Sequence, residues 1–139
     1  MKPSAWLLLA GLLGAGGVGL GAYGAHGLDD YLNKKYAAPE AAAGADSQGE
    51  AGATAANEDS EEQAQIRKRA DNYETAVRYQ MWHVLALVGV AALAAQRRTT
   101  SLSVAGFLFV LGIVLFSGVV YFWVFGGPGF LVHIVPFGG

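Results

Sequence analysis

From Ser101 to Phe125 the chain carries no charged residue. About 20 consecutive apolar residues cross a bilayer as a helix, and in hydrocarbon only helices and closed barrels satisfy their own backbone. Two further runs have the same character. Ser4 to Gly27 is uncharged, and Ala76 to Gln96 holds only Arg78, near its start, where a long side chain can reach the headgroups. The connection between the second and third runs is the short Arg97-Arg98-Thr99-Thr100. The expected fold class is all-α: an integral membrane helical bundle of three spans, about 4–27, 76–96 and 101–125, within a single membrane domain 1–139. The first helix is expected to be central.

Composition supports this and narrows the partners. The chain is 53% hydrophobic and 14% charged, and most of that charge falls between Asp29 and Arg78. A net charge of -2 gives no basic field for nucleic acid, so lipid is the expected surrounding. The absence of cysteine excludes disulfides, thiol catalysis and cysteine metal sites, leaving three histidines as the strong candidate ligands.

The first run is patterned by small residues. Gly14, Gly17, Gly21 and Gly24 recur at helical spacing and form one stripe, while Ala15, Gly19, Ala22 and His26 form a second. In lipid, helices associate by close packing, and small residues permit it. Such a helix is expected between two neighbours. The lone Lys2 before the run, with Ala22-Tyr23-Gly24, also fits a cleaved signal peptide, but the glycine pattern speaks for a packed helix.

After Leu28 the character changes. Asp29 to Tyr36 suits one or two interfacial turns. Residues 37–65 are an acidic Ala/Gly-rich segment without a large apolar side chain, so a disordered, dispensable loop insertion is expected there. From about Asp59 acids precede bases, as in a short surface helix leading to Tyr73. Gly126-Gly127-Pro128-Gly129 breaks the third helix, and residues 126–139 are an apolar tail too short to span.

With alternating spans, His26, Tyr79, Gln80, His83, Ser117 and Tyr121 converge on one membrane surface. Tyr79 and His83 are four apart, and Ser117 and Tyr121 likewise. The other surface holds Lys2 and Arg97-Arg98, which by the positive-inside tendency predicts a cytoplasmic amino terminus and an external linker.

Four stretches resemble a known family. They are Gly21-Ala22-Tyr23-Gly24-Ala25-His26, Ala76-Val77-Arg78-Tyr79-Gln80-Met81-Trp82-His83, Leu115-Phe116-Ser117-Gly118-Val119-Val120-Tyr121 and Val135-Pro136-Phe137-Gly138-Gly139. They are similar to the G-A-x-G-A-H, A-x-x-Y-Q-x-x-H, L-F-S-G-x-x-Y and T-P-x-G-G signatures of the domain of unknown function 423 family, the YgdD and transmembrane protein 256 group. The resemblance implies a compact helical membrane protein and lends little function; the expected location is a bacterial inner membrane, crossed several times. Val135 replaces the usual threonine, the 37–65 segment looks like an insertion, and the chain stops where similar proteins continue into a fourth span. An incomplete bundle or an oligomer member is therefore expected, because lipid cannot hydrogen-bond Ser117, Tyr121 or the carbonyls near Gly126.

Two functional classes follow. In the first, His26, His83, Tyr79, Gln80 and Tyr121 hold a haem or metal, or pass protons, since imidazole titrates near neutrality. In the second they join helices, with Gly14, Gly17, Gly21, Gly24, Ser117 and Gly118 at the packing faces. His133 has the weaker context. No nucleophile–base pair, paired carboxylates or phosphate loop is present, so neither an enzyme nor a cofactor is expected. A small transporter lacks an intramembrane carboxylate to support it. The favoured reading is a structural or accessory protein within a homo-oligomer or larger membrane complex.

Overall fold

A computed structural model describes residues 2–36, 51–97 and 99–130. Among these residues every element is helical: α1 (Pro3–His26), α2 (Leu28–Tyr36), α3 (Ala51–Gln96), α4 (Thr100–Gly112), a π-helical segment Ile113–Gly118, and α5 (Val119–Val124). The last three run on as one rod, Thr100–Val124, and three helices are long and apolar enough to cross a membrane.

Local chemistry sets the ends. Pro3 occupies the first turn of α1, where its missing N–H costs nothing. Thr99 caps α4 by accepting from the Leu102 N–H at 3.4 Å. At the far end Gly126 takes φ +109, Gly127 N–H bonds the Phe122 carbonyl at 2.8 Å, and Gly126 N–H bonds that of Trp123 at 3.1 Å. That pair is a Schellman closure, which requires a left-handed residue and so favours glycine. A Cβ at Gly126 would also run into the Lys35 ammonium.

The helix-forming region is longer than its apolar pattern. α3 is continuous from Ala51, inside the stretch expected to be disordered. Between residues 51 and 88 there is no proline and Gly52 is the one glycine, acids precede bases, and Ile66 is buried, so the surface helix fuses with the span. Residues 37–50, the rest of that expected loop, lie outside the described residues, as does the tail from Leu131 with His133.

α3 rather than α1 is the central element. Every other helix packs on it, while α1 packs chiefly on α3 and α2. Only the first of the two small stripes is covered: Ala15, Gly19, Ala22 and His26 are exposed. Two clusters form the interior. Trp6, Ala10, Val84, Leu87 and Ile113 fill the end near the Arg97 hairpin, and Leu28, Leu32, Tyr73, Val120 and Val124 fill the other.

Candidate functional site

The α1–α3 contact is built on the glycine stripe. A Cβ on Gly14 would meet Val84 at 3.3 Å, on Gly17 the Met81 sulfur at 2.9 Å, on Gly21 Val77 at 3.4 Å, and on Gly24 the Tyr73 ring at 2.9 Å. The two helices therefore run antiparallel with a fixed register. Absent side chains also uncover the backbone. Gln80 Nε2 donates to the Leu13 carbonyl at 2.8 Å, one turn before Gly17, and the Tyr73 hydroxyl donates to the Leu20 carbonyl at 2.8 Å, one turn before Gly24. The same clasp thus occurs twice, with glycine giving the polar group access.

The third rod joins through the same residues. Ser117 is buried in the π-helical segment, and its hydroxyl donates to the Ala76 carbonyl at 2.8 Å. One turn on, the Tyr121 hydroxyl donates to Gln80 Oε1 at 2.8 Å. Gln80, buried at 4% exposure, therefore ties α1 and α5 to α3 from opposite ends of one amide. Its side chain reaches down to the carbonyl of Leu13, near the middle of α1. Tyr73 and Tyr121 stack beside it, with ring centroids 5.2 Å apart.

The headgroup end is closed by cations. Lys35 Nζ donates to the Phe125 carbonyl at 2.6 Å and to the Tyr31 hydroxyl at 2.8 Å, while Tyr31 donates to the same carbonyl at 3.1 Å. Tyr36 donates to the Val124 carbonyl at 3.4 Å, and Arg69 Nη1 to that of Trp123 at 2.9 Å. The Arg69 guanidinium lies 4.2 Å from the Tyr36 ring centroid and 4.4 Å from that of Trp123. Cations at a helix C-terminus oppose its dipole, and the flanking rings add cation–π attraction. The hydrogen bond from Lys35 to Tyr31 holds its ammonium above the ordinary lysine range.

These bonds remove one ground for expecting an incomplete bundle or an oligomer member. Ser117, Tyr121 and the carbonyls of Trp123, Val124 and Phe125 all find partners within the chain.

The candidate cofactor group does not assemble. Gln80 reaches α1 and accepts from Tyr121, whereas Tyr79 packs on Phe116 at 4.7 Å between ring centroids and His83 meets Phe109 edge-on at 5.9 Å. Tyr79 and Gln80 are adjacent on a helix, about 100° apart, so they belong to different faces. His83 Nδ1 lies 2.9 Å from the Tyr79 carbonyl. On the glycine register His83 is level with the residues around Ala15, whereas His26 is exposed at the end of α1. About eleven residues of helix, roughly 16 Å, separate the two levels. The two imidazoles cannot share an iron or a metal ion. Among the described residues no group of three His, Asp or Glu side chains could hold a metal.

Gly118 is likewise corrected. It is exposed, and a Cβ there would meet only the Ile113 carbonyl of its own helix at 3.8 Å, because a neighbour of buried Ser117 turns away from Ser117's face. Sequence reasoning missed the glycine of the third rod that does receive a partner from another helix. The indole of Trp6, fully buried, occupies the space a Cβ on Gly106 would fill, 2.6 Å from it, with Phe107 edge-on at 5.3 Å. A tryptophan in one apolar run and a glycine in another were the available signal, but their pairing is not written in either run.

The fold and these clasps define a multi-pass helical membrane protein whose deep polar groups join its own helices. The chain belongs to the family described as protein of unknown function (DUF423), which matches residues 49–139. It is 32% identical over 136 residues to a UPF0382 membrane protein of Staphylococcus epidermidis, covering 96% of this chain and 82% of that one. It is 33% identical over 123 residues to UPF0382 membrane protein YwdK of Bacillus subtilis, covering 88% and 73%. No solved structure matches it.

Proposed function

We propose that the protein is a non-catalytic structural or accessory component of a membrane, working as a packed unit rather than as a chemical site. The observation that carries this reading is the double engagement of Gln80, whose amide donates to Leu13 and accepts from Tyr121. Buried polar groups in lipid need partners, and here the helices supply them to one another. The exposed small stripe of α1, with Gly11, Ala15 and Gly19 four residues apart, supports association with a second copy or a larger membrane complex. The amino terminus is placed on the cytoplasmic side on the strength of Lys2 and Arg97-Arg98.

The test is an absorbance spectrum and metal analysis of the purified chain, alongside thermal unfolding of Gln80→Leu and His83→Ala. Gln80→Leu is expected to lower the melting temperature clearly, and His83→Ala to change it little. A haem Soret band, or stoichiometric metal lost in His26→Ala or His83→Ala, would overturn the reading.

A further inference from the structure

Asp71, Glu74 and Arg78 are three and four residues apart on α3 and so share one face. Arg78 Nη2 donates to Glu74 Oε1 at 2.9 Å, and both side chains are mostly exposed. Asp71 is exposed, and its carboxylate has no partner among the described residues. Beside this row lies a groove of about 410 Å³, with Gly21, Ala25 and Leu28 on one wall, Ala70 and Val77 on the other, and the two carboxylates at its edge. The glycine Gly21 and the small Ala25 open it, since larger side chains there would fill the space.

Its depth is set by its neighbours. Leu28 opens α2 at the level where the first span ends, and Arg69, next to Ala70, lies in the aromatic and basic end of the bundle. The mouth of the groove is therefore at the headgroup layer. Towards the bilayer centre the surface continues as exposed Val18 on α1 and Leu85 on α3. Charge follows an order along this axis: Asp71 outermost, Glu74 next, Arg78 innermost. A zwitterionic glycerophospholipid carries its phosphate next to the glycerol and its ammonium beyond, which is the complementary order.

We propose that this groove binds one glycerophospholipid with a primary-amine headgroup, its ammonium on Asp71 and Glu74, its phosphate on Arg78 and an acyl chain along the apolar surface below. A primary ammonium has three N–H donors for carboxylates. A trimethylated headgroup has none, and an anionic one meets two negative charges. Arg78 retains its charge partner while gaining the phosphate, so binding leaves no cation unpaired. The site stands independently of the accessory role proposed above.

The experiment reconstitutes the full chain in vesicles of phosphatidylcholine or phosphatidylglycerol with graded phosphatidylethanolamine, and counts retained lipids by native mass spectrometry after detergent extraction. One phosphatidylethanolamine per chain is expected, preferred about tenfold over either other lipid, as loss of one charge-assisted hydrogen bond implies. Asp71→Asn with Glu74→Gln should erase that preference, and Ala25→Phe should fill the groove and abolish retention, with melting in amine-free lipid unchanged in both. Equal retention of the three lipids, or undiminished preference in the Asp71/Glu74 variant, overturns the proposal. So does capture of soluble phosphoethanolamine without retained lipid.

Discussion

The two ends of the bundle are held together differently. Around Trp6 the interior is dry: Trp6, Ala10, Val84, Leu87 and Ile113 touch through carbon, and the Trp6 indole N–H has no partner among the described residues. Around Tyr73 and Phe125 the interior is threaded by side-chain bonds to backbone carbonyls, with Phe125 ringed by Tyr31 and Tyr73. Lipid tails are as apolar as leucine, so the dry end gains nothing from expelling water and depends on close fit. The wet end depends on groups that hydrocarbon would leave unbonded. Fit is lost by a change of volume and hydrogen bonding by a change of atom, so the two ends should fail under different substitutions.

The largest effect is expected at the dry end. Trp6→Ala should lower stability in detergent by about 3 kcal/mol, because the cavity over Gly106 cannot close while α3 holds both neighbours apart. A loss smaller than that of Gln80→Leu would remove the contrast. Gly17→Leu acts at the middle of the interface, pushing aside Met81 and the Gln80 amide together. A cost of about 1–3 kcal/mol is expected, and infrared or crosslinking probes of the α1–α3 pair should show the helices separated.

Gln80→Leu keeps the volume and removes the bonds, leaving the Tyr121 hydroxyl unmatched. Unfolding equilibria should register about 1–2 kcal/mol, and adding Tyr121→Phe should restore part of it. Strict additivity of the pair would show that the two side chains are not coupled. Arg69→Ala should be milder, about 0.5–1 kcal/mol, since its cation–π contacts are at the water's edge. Arg69→Lys falling short of wild type would show that the planar guanidinium is needed between the rings.

The smallest effect is electrostatic. Because Lys35 titrates above 10.5 in the fold, its contribution is fully present below that value and is lost as pH rises through the folded-state value. Melting of wild type and Lys35→Met should therefore converge at strongly alkaline pH and differ slightly near neutrality. A difference that persists unchanged would assign the effect of Lys35 to its packing.

How much of this was legible depended on whether a residue's partner was implied by its own run. The spans followed from uncharged length, and Gly14, Gly17, Gly21 and Gly24 share a face on helical spacing alone. Ser117 and Tyr121 follow the same rule. What spacing cannot supply is the opposite wall: nothing in Leu13 or Leu20 announces an accepting carbonyl, and nothing in Arg69 or Lys35 announces the end of a helix more than fifty residues downstream. The polar row Tyr79, Gln80 and His83 was divided because two helices approach α3 from different sides. The fusion of the surface helix with the second span was hidden by an apolar pattern that begins only where lipid does.

The repeated clasp between α1 and α3 has a consequence for assembly. Leu13 and Leu20 are seven residues apart, and so are Tyr73 and Gln80. Two inserted helices sliding past one another would not meet a smooth gradient. They would meet detents, one per heptad, of which a single setting engages both pins. A slip of one heptad keeps only one pin seated and moves α3, with Arg69, Glu74 and Arg78 together, by about 10 Å along the bilayer normal, either carrying charge into hydrocarbon or pulling Arg69 off the Trp123 carbonyl. The pair behaves as a two-toothed ratchet, and alignment becomes a choice among discrete stops that membrane depth itself decides.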